Sequence, residues 1–196
     1  MRLCYRSVHV CLAATVGLAL WCADLNADAL RVTSGKVSVT CPLTVGGSFE
    51  AKTDAVTGEV TLGPAPEMPL SGELAVDLKT LATGIGLRDR HLKDNYLEVG
   101  RGTAFAAARL QEIRVQALQG TTAFSGVLML HGERREVTGS ATIRPNGAGY
   151  RVEATFPVRI SEFEIPDPTY LGVGVKNEVQ VRVNFTVAPA TTSARR

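Results

Sequence analysis

Between Lys36 and Val187 the chain repeatedly alternates apolar and polar positions. The longest clean run is Val179–Val187, where Val179, Val181, Val183, Phe185 and Val187 are separated by Gln180, Arg182, Asn184 and Thr186. A period of two places successive side chains on opposite faces of a strand, so one face is apolar and the other wet. Tyr150–Ile160 repeats the pattern. So does Leu70–Leu78, with Leu74, Val76 and Leu78 opposite Glu73, Ala75 and Asp77. Shorter runs at Lys36–Thr40, Ser48–Thr53, Glu59–Leu62, Ile113–Ala117 and Val137–Ile143 predict further strands, and the more continuously apolar Phe124–Leu130 predicts one that lies deeper. Turn signals separate them at Gly46-Gly47, Thr57-Gly58, Gly63-Pro64, Gly132-Glu133 and Pro145-Asn146-Gly147.

So many one-faced strands, with almost no helix to cover them, bury their apolar faces against a second sheet or by closing on themselves. The fold class is all-β, an antiparallel barrel of about eight strands, wide enough to be filled by side chains or to hold one slim ligand. Alternation alone does not separate a hollow barrel from a filled one. Nor does it separate either from an outer-membrane barrel, whose apolar face points outward. Against the last reading, aromatic residues are 6% of the chain, too few for girdles, and Pro157 interrupts a strand.

One segment breaks the strand pattern. Gly84 and Gly86 end the preceding strand, and a short charged helical stretch spans residues 87–97. Residues four apart share a helix face. Arg88, Leu92 and Tyr96 therefore form one stripe, while Asp89 with Lys93 and Arg90 with Asp94 form charge pairs on other faces. The stripe that turns inward is apolar at two positions and cationic at the third.

The amino terminus has the form of a secretory leader: Arg2 and Arg6, an apolar run from Val8 to Trp21, and Ala27-Asp28-Ala29 as a cleavage site. The bulky Trp21 before Cys22 speaks against a lipoprotein site. Residues 1–29 are the expected leader, residues 30–187 one barrel domain, and residues 188–196 a polar, disordered tail. The expected location is the periplasm or the exterior. The leader takes Cys4, Cys11 and Cys22 with it, leaving Cys41 and no internal disulfide. The formal net charge of +2 is unchanged by cleavage, because Asp24 and Asp28 leave with the two arginines. That balance does not favour nucleic acid.

Candidate chemistry is sparse. His91 and His131 are the histidines of the mature chain, without the spacing or soft partners of a metal site, and no metal or cofactor is expected. Gly46-Gly47-Ser48-Phe49-Glu50 lacks the closing glycine of a nucleophile elbow. Cys41 reads as a small residue packed near a strand end. Arg88 and Asp89 either meet the polar head of a ligand, or hydrogen-bond and cap the loop locally. Leu74, Val76, Phe105, Phe124, Leu128, Phe156, Val158, Val181, Val183 and Phe185 are expected to share one interior.

The segment Thr83-Gly84 through Arg88-Asp89 to His91-Leu92 resembles the TG-x-x-x-RD-x-HL signature of the YceI-like family. Gly46–Val60, the F-x-G-x-L-x-L-H-G run at Phe124–Gly132 and the closing V-x-V-x-V at Val179–Val183 follow in that family's order. The resemblance spans about Val37 to Val187. It implies a lipocalin-like barrel, periplasmic or secreted, that holds a polyisoprenoid or quinone-like lipid in an elongated cavity; shape-driven binding of that kind needs no catalytic residue, and none is expected. The interior residues above, with Arg88, Leu92 and Tyr96, are then the ligand-binding set. An apolar lipid is the expected partner, with transient membrane contact, no nucleic acid, and the oligomeric state open, a dimer included. The chain departs from the family pattern at Asn95-Tyr96-Leu97 and at Gly100–Phe105, both at the helix exit. Rival readings are a secreted enzyme using Arg88, Asp89 and His91, and a filled barrel that acts through protein contacts.

Overall fold

A computed structural model describes residues 29–62, 70–170 and 172–190. Most of the expected leader, the Gly63-Pro64 turn and the end of the tail lie outside the described residues. Ala29, the last residue assigned to the leader, already pairs with Thr61, and the last strand runs to Pro189, two residues into the stretch assigned to the tail.

The main sheet is built from β1 (Ala29–Pro42), β2 (Ser48–Thr53), β3 (Val56–Thr61), β4 (Leu70–Asp77), β5 (Ala107–Val115), β6 (Gly120–Leu130), β7 (Glu133–Asn146) and β8 (Gly149–Arg159). After a two-stranded ribbon, β9 (Thr169–Tyr170) and β10 (Val173–Gly174), the chain returns as β11 (Glu178–Pro189). Every pairing is between antiparallel neighbours, and β11 closes the sheet by pairing with both β8 and β1. β2 and β3 act as one interrupted strand: β2 pairs with the second half of β1 and β3 with its start. The closed tube thus has eight strand positions around it, as the alternation predicts.

Apolar side chains point inward. Val37, Phe124, Ala141, Ile143, Phe156 and Val158 are all buried, while the outer faces carry cross-strand ion pairs such as Arg31 with Glu59 at 3.0 Å and Arg109 with Glu73. This polarity is opposite to that of an outer-membrane barrel, whose charges face the lumen. No helix among the described residues is long and apolar enough to cross a membrane.

Two of the register slips in the sheet shift the inward phase by one residue. In β5, whose pairing with β6 slips between Gln111 and Arg114, the inward side chains pass from Ala108 and Leu110 to Ile113 and Val115 across Glu112, which adopts a left-handed φ of 51°. β1 slips likewise between Val32 and Ser34. Bulges of this kind bend a strand and let a sheet turn a barrel corner.

Gly139 of β7 shows how tightly one wall is built. The rings of Phe124 and Phe156 meet edge to face with centroids 5.6 Å apart, directly over this glycine. A Cβ there would lie 2.4 Å from the Thr155 carbonyl oxygen and 2.7 Å from both phenylalanines. Overpacking of this kind costs about 1–3 kcal/mol. Gly139→Val is therefore expected to lower the unfolding free energy by at least that amount in a urea titration; an unchanged midpoint would contradict this packing.

Candidate functional site

Inside the tube runs a cavity of about 660 Å³. It extends from a plug end, where Leu81, Leu92 and Leu97 cover the barrel, to a far end around Leu30, Val60, Ile113 and Val187. The interior is therefore not filled by side chains. Twelve of the thirteen residues expected to form the site line this one space. Leu74 and Val76 come from β4, Phe124 and Leu128 from β6, Phe156 and Val158 from β8, and Val181, Val183 and Phe185 from β11. Arg88, Leu92 and Tyr96 come from the plug.

Phe105 is the exception. It sits on a one-turn helix (Thr103–Ala106) that precedes β5, so the period-two phase of that strand does not govern it. Its ring packs edge to face on His131, 4.8 Å away, and under the Arg101 guanidinium at 4.4 Å, outside the cavity.

The plug begins as a helix at Gly86–His91 and widens at Leu92–Tyr96 into a π turn, with the Leu97 amide donating to the Leu92 carbonyl at 2.9 Å. A regular α-helix over 87–97 would turn Leu97 away from Leu92; the extra residue in the turn lets Leu92, Tyr96 and Leu97 all face the barrel. Three ties fasten the segment. Asp89 accepts hydrogen bonds from both the amide and the hydroxyl of Thr83, each at 2.6 Å. The Tyr96 hydroxyl donates to the Thr169 carbonyl at 3.1 Å. Beyond the plug, Glu98 meets Nε2 of the buried His131 at 3.1 Å, and His131 Nδ1 bonds the Phe163 carbonyl at 2.9 Å.

Asp89 is thus spent on the turn rather than on an ion pair with Lys93. Burial, which would raise its pKa, is outweighed by the two Thr83 bonds and by the charges of Lys93 and Arg88, so its carboxyl lies below the ordinary range. Arg101 and His131 hold the Glu98 carboxyl low against a smaller cost of burial. The clasp of Glu98, Arg101, Phe105 and His131 was not anticipated. Its only trace in the sequence is a histidine followed by the turn glycine Gly132 at the end of an apolar strand.

Arg88 and His91 line the plug end together with Phe49, Cys41 and the half-exposed Ile85 and Leu87. Asp89 does not line it, so the Arg88, Asp89 and His91 set does not converge on one point in the cavity. The Arg88 guanidinium lies over the Phe49 ring, 4.3 Å from its centroid. That contact replaces the loop-carbonyl bonds considered for it above. No cluster of metal-ligating side chains occurs among the described residues. Burial pushes the Cys41 thiol up to about 11, against a smaller opposing pull from Arg88.

The profile of the YceI-like domain matches residues 24–187 of the chain. Among curated proteins none matches. Among solved structures, BcnA of Burkholderia cenocepacia is similar at 19% identity and a TM-score of 0.63, over 78% of this chain and 95% of that one. A polyisoprenoid binding domain from Saccharophagus degradans, implicated in plant cell wall breakdown, is similar at 14% identity and a TM-score of 0.62, over 83% and 99%. A Campylobacter jejuni YceI protein follows at 11% identity and 0.53, over 74% and 86%. At these identities the likeness shows the fold, and the barrel described above is that fold.

The thiol gives a direct test of the cavity wall. A thiol raised in the folded state keeps its proton longer than in the unfolded chain. Its contribution to stability is thus whole below the ordinary thiol range and is lost as the pH rises toward about 11. Alkylation of Cys41 in the native mature protein at neutral pH is expected to be far slower than in denaturant, because the thiolate reacts. Equal rates in the two states would contradict its burial beside the cavity.

Proposed function

The chain belongs to the YceI-like domain family, and from that premise we propose that it is an exported binding protein holding one long apolar lipid, polyisoprenoid or quinone-like, along its barrel. The observation that carries this reading is the cavity: about 660 Å³, lined almost wholly by aliphatic and aromatic side chains and running through the barrel. Such a volume is in the range of ligand sites, roughly 300–1,000 Å³. Left empty it would be expensive. At roughly 24 cal/mol per Å³ of apolar void, the loss would rival the net stability of a whole domain, about 5–15 kcal/mol. A lipid chain removes that cost and adds about 0.8 kcal/mol for each methylene it withdraws from water.

The reading also fits the rest of the chain. A secretory leader would deliver the protein to an aqueous compartment where a long isoprenoid needs a carrier. Ile85 and Leu87 line the cavity and are also about half exposed, which places an apolar rim at its plug end where the protein would touch a membrane transiently. A family neighbour described as a polyisoprenoid binding domain supports the ligand class. Shape and burial carry the binding, so the role is that of a carrier rather than an enzyme.

Two results check this. Protein recovered from the periplasm or medium is expected to begin at Leu30; retention of the leader in a membrane fraction would contradict export. A tritiated long-chain prenol is expected to co-elute with the wild-type mature protein on gel filtration and to be lost from Ala154→Trp, which fills the wall between Phe156 and Val152, while the circular dichroism of the variant stays strand-like. A variant that folds and still retains the prenol in full would refute cavity binding.

A further inference from the structure

His131 stands at the turn between β6 and β7, is buried, and has an oxygen facing each of its ring nitrogens. Nδ1 lies 2.9 Å from the Phe163 carbonyl and Nε2 lies 3.1 Å from the Glu98 carboxylate. A carbonyl only accepts, so Nδ1 carries a proton. An ionised carboxylate also only accepts, and Glu98 is kept ionised by the Arg101 guanidinium at 2.6 Å and by His131 itself. Nε2 therefore needs a proton as well. A neutral imidazole has one N–H, so both bonds are made together only by the imidazolium.

The other charged groups on the elements packed around this ring are paired or exposed. Phe105, edge to face on the imidazole, comes from the one-turn helix Thr103–Ala106, which has no titratable side chain. Beside Phe163, Glu162 meets Arg159 at 3.8 Å and Glu164 is exposed. On the hairpin of His131 itself, Glu133 pairs with Arg135 at 2.8 Å, and Arg134 pairs with Glu112. The clasp sits where the plug meets the barrel. Glu98 directly follows Leu97, which covers the barrel end, and the Val99 amide donates to the Lys93 carbonyl at 3.0 Å. Both Glu98 and His131 hold a left-handed φ that would relax if the clasp opened. The π turn at Leu92–Tyr96, a form frequent at functional sites, lies just before them.

Resting on the lipid-binding reading above, we propose that the plug is a proton-dependent gate. The imidazolium of His131 latches Glu98 and keeps the plug seated, and loss of its Nε2 proton frees Leu92–Val99 to lift from the barrel and let the lipid exchange. The direction follows from the proton count. The latched state holds a proton that an ordinary histidine releases as the pH rises past about 6.5. The latch is therefore whole below that range and is lost progressively above it, by up to about tenfold per pH unit. Other groups near the plug do not titrate between pH 5.5 and 8.5: the Cys41 thiol is pushed up to about 11, and the Asp89 and Glu98 carboxyls lie below the ordinary range. His91, which lines the cavity at the plug, is left intact in the variant used below.

Three measurements on the mature protein test this, with Glu98→Gln as the variant. Its side-chain amide can donate to a bare Nε2, so the clasp closes on a neutral His131 as well. Nitrogen-15 NMR of the wild type at pH 7 is expected to show both ring nitrogens of His131 protonated. Release of a bound tritiated long-chain prenol into excess phosphatidylcholine vesicles is expected to quicken on the order of tenfold or more from pH 5.5 to 8.5 in the wild type. In Glu98→Gln it should stay slow throughout. The protection of the Leu97 and Val99 amides against hydrogen exchange, corrected for the intrinsic rate, should fall over the same range in the wild type alone. The nitrogen spectrum and the wild-type protection need neither the variant nor a lipid, so they decide the matter even where Glu98→Gln fails to fold. A bare Nε2 in the wild type at pH 7, or protection that does not change with pH, would overturn the gate. So would a pH dependence that survives in Glu98→Gln, which would belong to His91. If no prenol binds at any pH, the lipid-binding reading falls, while amide protection still tells whether a proton latches the plug.

Discussion

Along Leu30–Thr40 the first strand lies against the last, from Gln180 to Pro189, and this pairing turns a sheet that would have two open edges into a tube. Closure satisfies backbone groups that an edge would leave exposed. It also fixes which face of every strand is inside. No disulfide braces the described chain: its one cysteine, Cys41, is free and buried in the wall. Once the tube is closed, no helix can pack onto the inner faces, and their side chains do not reach far enough to fill the space. The cavity of about 660 Å³ follows from that geometry, and so does the need for something apolar to occupy it.

The ends of the tube are handled differently. At the far end the side chains of Leu30, Val60, Ile113 and Val187 come together as a small apolar cluster. At the other end a separate segment does the work, and its polar residues serve to hold it in place. Asp89 binds Thr83, Tyr96 reaches Thr169, and Glu98 is clasped to His131. Glu98 and His131 both adopt left-handed backbone, with φ of 47° and 54°. Non-glycine residues persist in that region only when their surroundings hold them, and here each is held partly by the other. Arg88 is the cation of the segment that looks into the tube instead of serving the latch.

The alternation of Val179–Val187 and Tyr150–Ile160 made the strands and their inward faces legible, because burial on one side of a closed sheet leaves that mark on composition. The fourfold spacing of Arg88, Leu92 and Tyr96 likewise pointed to the face that covers the barrel. Other features left no such mark. A hollow barrel and a filled one demand the same alternation, so the cavity itself could not be read. The bulges at Glu112 and between Val32 and Ser34 change the phase by one residue without any residue type that announces them. Phe105 was misplaced because it lies on a one-turn helix, and the next strand begins two residues later, at Ala107. The partners of Asp89, Glu98 and His131 depend on contacts between distant segments, which a single sequence does not display.

Native mass spectrometry of the mature protein, purified without detergent, tests the central claim most directly. A discrete added mass that disappears on organic extraction, and returns on incubation with a long isoprenoid, is the result expected of a barrel built around a lipid. Protein that is empty in repeated preparations, and stays empty after that incubation, would contradict it.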